Sequence, residues 1–470
     1  MTFITKNKDS RHRVVVCCIS LLILSILIAS LTGCRRNNDG IVDAKVDLTP
    51  TDELIIYIPN YQYFNSNFST IANLLRWGND AINVTIERFG DADDYLMEQY
   101  QSRLSTELMA GTGPDIIFTQ YFNDIYKTID SGLFLNLNEI IEQDDDFNLD
   151  DYYAPVMDAG IYKGGRYVIP LSFNVPIMLS EQGMLDKIGF DLSKNTDFIS
   201  FLTEATNRMP AVREINPRGT MVISLLSHTL LNISGIKLVD FENGTILPDE
   251  ESFRRLCEAF KLYYEYDFTS SYDYTTMLDL FTDGTMFFYG SFASFGHLFN
   301  WGHLMSSGYE PVYTGIKDMQ GGLHATVDQG VAIRAGSKNQ LNAWNFIKRL
   351  LWEETQYARP GSLESGAFGS NVVNKAALER KIDYFGLSSI SVGFYEGVFL
   401  IPIIPEEDRQ QLKDLINSIT SCSLDYNLSI HDVITSEFFW PIMGPYFNGD
   451  QTYDEAVEQL KQRLRFYISE

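Results

Sequence analysis

Short apolar runs alternate with amphipathic stretches between residues 54 and 118, and this alternation predicts an α/β protein. Leu54-Ile-Ile-Tyr-Ile-Pro59 is a continuous apolar run and reads as a buried strand. Ile82-Asn-Val-Thr-Ile86 alternates and is β-branched, which gives a second strand, and Asp115-Ile-Ile-Phe118 gives a third. A helix is expected from Phe64 to Trp77. Another is expected from Tyr95 to Met109, where Leu96, Tyr100, Leu104 and Leu108 recur every fourth residue. Gly111-Thr-Gly-Pro114 stops that helix. Strand, helix, strand in this order requires parallel pairing with crossover helices. Such sheets bind ligands beyond the carboxyl ends of their strands. Here those ends are Asn60-Tyr61-Gln62-Tyr63, Phe89-Gly90-Asp91 and Thr119-Gln120-Tyr121.

Further along, Tyr167 to Met178 is extended and carries two prolines. It is too long and too interrupted for one interior strand, so it reads as a connection crossing between lobes. Helices follow at Phe198 to Met209, Glu251 to Tyr264, Leu341 to Trp352 and Ala376 to Ile382. Ser337-Lys-Asn-Gln340 and Thr452-Tyr-Asp-Glu455 have the capping-box pattern, the second opening a last helix that carries Val457, Leu460 and Leu464. Met286-Phe-Phe-Tyr289 reads as a strand that ends at Gly290.

The 470 residues correspond to about three domains, or two large ones. Hydrophobic residues make up 45% and charged residues 21%, an ordinary globular composition. The 62 acidic residues outnumber the 36 basic ones and give a net charge of -26, which repels phosphate backbones and argues against nucleic-acid binding. Aromatic residues reach 13%, which fits either stacking on a ligand or compositional bias.

The first segment reads as an address. Lys6, Lys8, Arg11 and Arg13 precede an uncharged apolar run from Val14 to Leu31, which ends in Leu31-Thr-Gly-Cys34. A plain membrane anchor is the alternative, because the run is near the roughly 18-residue threshold. Arg35 to Asp47 reads as a polar spacer. Loss of residues 1–33 would take away four basic residues and one acidic one, shifting the charge to -29. Cys257 and Cys422 would then be the free thiols, both read as small buried apolar residues with a bridge between them left open.

No P-loop, dinucleotide fingerprint, zinc-protease motif or nucleophile elbow occurs. His297 and His303 lie six apart beside Trp301 without the further ligands a metal would need. Asp144 to Asp150 mimics the start of a calcium loop, yet Leu149 and Pro155 stand where Gly and Glu would be required. It reads as a solvated turn. No metal or cofactor is expected.

Several segments together resemble family 1 extracellular solute-binding proteins of bacterial ABC importers, the group that includes maltose-type sugar binders. Leu31 to Cys34 resembles a lipobox. Leu104 to Phe118, Ser131-Gly-Leu-Phe-Leu-Asn-Leu-Asn138, Tyr162 to Leu171, Asp283 to Phe292, Asp328 to Ile333 with Ser337 to Ile347, and the ending from Thr452 to Tyr467 are similar to the family's segments in their order. Phe292 stands where the family has Trp, and Val327-Asp328-Gln329 replaces a glycine-rich stretch. The resemblance implies a periplasmic-binding-protein-like fold: two α/β lobes joined by crossing hinge strands, with a ligand cleft between them. Lobe 1 would be 51–168 plus 328–362, and lobe 2 would be 172–327 plus 363–470. It also implies cleavage before Cys34, lipidation of Cys34, a lipid-anchored monomer on the extracellular face of the membrane, and delivery of a small solute, a sugar or oligosaccharide, to importer permease subunits.

Rings suit the apolar faces of a sugar, and carboxylates and amides bridge its hydroxyls. The candidate contacts are Tyr61, Tyr63 and Tyr121 at strand ends, Phe173 and Asn174 after the first crossing, and Phe292 past a strand end. Trp301 on a loop-like Asn-Trp-Gly and Asp328 with Gln329 at the second crossing complete the set. Asp115 is expected to be a structural cap. Two other classes stay open at this point: a lipid-anchored enzyme acting on polysaccharide, and a sensor that presents solute to a signalling receptor.

Overall fold

A computed structural model describes residues 44–59, 82–89, 94–119, 125–222, 228–265, 284, 286–288, 297–357, 371–394, 397–424 and 433–469. The first strand, β1 (Glu53–Pro59), buries Leu54 and Ile56 on alternate positions. It is followed by β2 (Asn83–Phe89), α1 (Asp94–Met109), β3 (Ile116–Phe118) and α2 (Ile125–Asp130). Tyr100, Leu104 and Leu108 form the buried stripe of α1, as their spacing requires. β1 pairs in parallel with both β2 and β3, the arrangement that crossover helices impose. The expected helix over residues 64–77 lies outside the described residues.

A hairpin follows, β4 (Ile161–Tyr162) and β5 (Gly165–Arg166), turning through Lys163 and Gly164. Both turn residues have positive φ, 48° and 82°, the handedness that a two-residue loop needs to match the strand twist. The stretch Tyr167 to Met178 is not a single connection. It is two paired strands, β6 (Ile169–Asn174) and β7 (Ile177–Glu181), separated at Val175-Pro176. β6 is interior to the sheet despite Pro170, which sits where the neighbouring register shifts.

The next elements are α3 (Phe198–Ile215), β8 (Thr220–Val222), α4 (His228–Ser234) and α5 (Glu250–Tyr264). Asp197 and Ser200 form a reciprocal capping box at the start of α3. This helix runs six residues past Met209, straight through Pro210. Met209 and Val212 are both buried, and their packing offsets the hydrogen bond that proline removes. In α5, Phe253, Leu256, Cys257 and Phe260 share the buried face, and burial pushes the Cys257 thiol pKa up.

β9 (Met286–Phe288) pairs in parallel with β8. Then come α6 (His297–Ser306), β10 (Pro311–Gly315), which pairs with β7, and β11 (Leu323–Ile333). The chain continues through α7 (Gln340–Leu351), β12 (Asn371–Val372), α8 (Lys375–Tyr384), β13 (Ile419–Ser423) and α9 (Tyr453–Ser469). Thr452 and Glu455 make the expected reciprocal cap on α9. Ser337 does not cap α7. Its hydroxyl is donated to Asp115 instead, and the helix begins after Asn339 without a side-chain cap. Cys422, on strand β13, is only partly buried, unlike the expected buried thiol, and Cys257 and Cys422 are both free thiols.

The main sheet has the order β12-β6-β11-β3-β1-β2, with β13 also paired to β11. Its faces form one hydrophobic core, which includes Ile116, Leu171, Val331, Trp344 and Leu350. A second core gathers around α3, α5, α9 and the helix Trp440–Phe447. It is rich in edge-on aromatic pairs such as Phe190–Phe288 at 5.1 Å and Phe260–Phe447 at 5.0 Å. Much of the aromatic composition is therefore packing. No helix among the described residues is long and apolar enough to cross a membrane.

Candidate functional site

Strand register locates a gap in the main sheet. Val331 of β11 pairs with Ile169 of β6 and with Phe118 of β3, so these two neighbours occupy opposite edges of β11. Thr326 pairs with Asn174 of β6 and with Ser423 of β13, which places β13 on the same edge as β3. Between Thr326 and Val331 that edge has no partner strand among the described residues. β3 runs antiparallel to β11 and β13 runs parallel to it, so both point their carboxyl ends into the gap. Beyond strand carboxyl ends is where α/β sheets place ligands.

Four of the candidate contacts lie on β11 and β6 near this gap, and none of them is in the lining of the cavity beside it. Asp328 is the residue at which the β11–β6 register slips. Its Oδ2 accepts from Ser172 Oγ at 3.1 Å. Burial raises its pKa, and Ser172 and Asn174 oppose that rise. Gln329 is 8% exposed, and its Oε1 has no hydrogen-bond donor among the described residues. Asn174 is buried opposite Thr326. Phe173 is fully buried, with its ring against Tyr153 at 5.5 Å. Trp301 sits in the middle of α6, not on a loop. It is 2% exposed and stacks on Tyr313 at 4.2 Å. Tyr61, Tyr63, Tyr121, Phe292 and Cys34 lie outside the described residues.

A cavity of about 440 Å³ opens on the β13 side of the gap, within the range of small-molecule sites. One wall is aromatic. Tyr126 of α2 stacks on Phe241 at 5.0 Å and tilts against Tyr162 at 5.1 Å. The Tyr162 hydroxyl lies 3.1 Å from Asp130 Oδ2 and 3.0 Å from the Phe241 carbonyl oxygen. Burial, then the Asp130 charge, pushes its pKa up, so it remains a neutral donor.

The lining also carries polar side chains. His324 of β11 reaches Ser421 Oγ through Nδ1 at 2.8 Å and Ser423 Oγ through Nε2 at 3.3 Å. Burial lowers its pKa to about 4, with Lys237 adding to the effect and Asp318 opposing it. The imidazole is therefore neutral at pH 7, with one nitrogen donating and the other accepting. Asn232 and Thr435 are buried beside it. A histidine with pKa near 4 is a weak general base, and both of its nitrogens face serines rather than a carboxylate.

Sequence reasoning missed Tyr126, Tyr162, Phe241 and His324. Tyr126 lies five residues beyond Tyr121, past the point where the strand-end rule stopped. Tyr162 stands in a segment, Tyr162 to Leu171, that carried only the family resemblance. The paired serines come from a strand about 100 residues away, and no local pattern links them to His324.

The fold matches solved structures along nearly their whole length. The sugar-binding protein MalE from Xanthomonas citri is 14% identical, with a TM-score of 0.62 over 89% of this chain and 97% of that one. A periplasmic oligogalacturonide binding protein from Yersinia enterocolitica is 15% identical, with a TM-score of 0.59 over 89% and 99%. An ABC substrate-binding protein from Listeria monocytogenes, in complex with cycloalternan, is 14% identical, with a TM-score of 0.56 over 89% and 99%. No curated protein matches the chain. The model of the bacterial extracellular solute-binding proteins matches residues 80–374, and the chain belongs to that family.

Proposed function

We propose that this protein is the lipid-anchored receptor of an ABC importer and binds a sugar or oligosaccharide. The observation that carries the ligand class is the cavity beside the β11 gap, whose lining combines aromatic rings with hydroxyl, imidazole and amide groups. Apolar sugar faces suit the rings and sugar hydroxyls the polar groups. The similar structures described as sugar or oligosaccharide binders support the same class.

In this reading two lobes, 51–168 plus 328–362 and 172–327 plus 363–470, close over the solute about β6 and β11. The closed form docks on membrane permease subunits. Closure coupled to binding gives the permease two shapes to distinguish. Asn174, Asp328 and Gln329, on β6 and β11 outside the cavity lining, would meet the solute only on closure, and Tyr61, Tyr63, Tyr121 and Phe292 stay candidate contacts on the sequence alone. Phe173 and Trp301 support the walls from the core. Cys34 carries the lipid that keeps a monomeric protein near the permease. The protein turns nothing over.

A thermal-shift screen across mono- and oligosaccharides, amino acids and peptides tests the ligand class. A saccharide at about 100 times its Kd should stabilise the protein by roughly 2.7 kcal/mol. Stabilisation by peptides or amino acids alone would reject the reading. For the anchor, Cys34→Ser should leave the membrane fraction or go uncleaved, whereas normal processing with unchanged lipid labelling would contradict it.

A further inference from the structure

The charge around the cavity says which saccharides it can accept. Asp318 is 4% exposed and lines the cavity. Its Oδ1 accepts from the backbone N–H groups of Gln320 at 2.9 Å and Gly322 at 2.8 Å, which fixes the carboxylate. Its Oδ2 takes no hydrogen bond from any described residue. Oδ2 keeps access to solvent, so it is an acceptor open to a ligand donor.

Asp158, Asp240 and Glu242 also line the cavity, and Lys237 is the one basic side chain that does so among the described residues. Asp158 is paired with Arg166 at 2.9 Å. That leaves Asp240, Glu242 and Asp318 against Lys237, beside a histidine that carries no charge at pH 7. A carboxylate or phosphate on the ligand would enter this field uncompensated, and its oxygens have no proton to offer Asp318.

We infer that the solute is a neutral or amino saccharide, that uronates and sugar phosphates are excluded, and that Asp318 Oδ2 makes this distinction by accepting a ligand hydroxyl or ammonium. The inference rests on the saccharide reading above and narrows it. It sets this chain apart from the similar structure described as an oligogalacturonide binder.

The test is calorimetric titration of the full chain with three matched probes: cello-oligosaccharide, chitosan oligosaccharide and oligogalacturonate. The neutral probe, the amino probe or both should bind, and the uronate should bind at least about 10-fold more weakly. Asp318→Asn replaces the lone oxygen with a donor or a weaker acceptor. It should weaken the neutral or amino probe by about 10-fold or more and narrow the gap to the uronate. Glu242→Gln is exposed and does not threaten folding, so it serves as the second variant. It should narrow the same gap, and the narrowing should fade at high salt. Uronate binding as tight as the best of the other two probes would overturn the charge selection while leaving a saccharide receptor in place. Binding of none of the three would overturn the saccharide reading and this inference with it. An Asp318→Asn protein that folds and binds like wild type would remove Asp318 from the site.

Discussion

Two buried aspartates stand at opposite ends of the same sheet, and their surroundings differ in kind. Asp115, at the start of β3, is 1% exposed and saturated by protein. Its Oδ2 accepts from Ile55 N at 2.7 Å and Asn339 Nδ2 at 2.9 Å. Its Oδ1 accepts from Ser337 Oγ at 2.7 Å and faces Arg334 at 3.5 Å. The carboxylate ties β1, β3 and the entry to α7 together. Asp318, which lines the cavity, has one oxygen fixed in the same way and the other unbonded by the described residues. A buried acid that is fully bonded holds the scaffold, and one that is half bonded has an acceptor left for the proposed ligand.

The largest effect that sharpens this contrast is on stability. Asp115→Ala orphans four donors at once and should cost about 3–5 kcal/mol in a denaturant melt. The molecules that remain folded should keep their saccharide affinity. A melt unchanged to within about 0.5 kcal/mol would break the comparison from the scaffold side.

The second effect is a pH dependence from the cavity side. Unfolded, His324 titrates near 6.5, and burial holds it near 4 in the fold. Between those values the unfolded chain binds a proton that the native chain refuses. Stability should therefore be full above about pH 6.5 and fall toward pH 4, by on the order of 3 kcal/mol. Urea melts of wild type and His324→Gln at pH 7 and pH 4.5 isolate the effect. The same pH slope in both proteins would show that His324 is not its source.

The smallest effect comes from an acid in neither class. Asp145 is exposed in the turn after residue 142. Asp145→Asn should change both the melt and the titration by less than about 0.5 kcal/mol. Its neighbour Asp144 is no longer part of a merely solvated run, because it accepts from Trp344 Nε1 and pairs with Lys348, each at 2.6 Å.

The scaffold was legible in the sequence because its signals are local. Leu54 to Pro59 and Asp115 to Phe118 are apolar runs next to a fourfold-periodic helix, and parallel pairing follows from their order. Asp115 beside Pro114 could be read as structural for the same reason. Trp301 misled because Asn300 and Gly302 look like a loop. Leu298, Trp301 and Leu304 in fact share one buried face, and Gly302 is required because a Cβ there would stand 2.3 Å from Ile401. The cavity was not legible. His324 meets Ser421 and Ser423 only through the parallel register of β11 and β13, and Tyr126 meets Phe241 across 115 positions of sequence. Contacts made by register and lobe packing leave no spacing to read.

The central claim is that the cavity at the β11 gap holds the solute. Amide hydrogen exchange, with and without the saccharide that gives the largest thermal shift, measures this most directly. The account predicts that protection on binding concentrates in residues 231–242, 318–324 and 419–424, with little change around Asp115. Protection that spares all three segments while the saccharide is bound would contradict it.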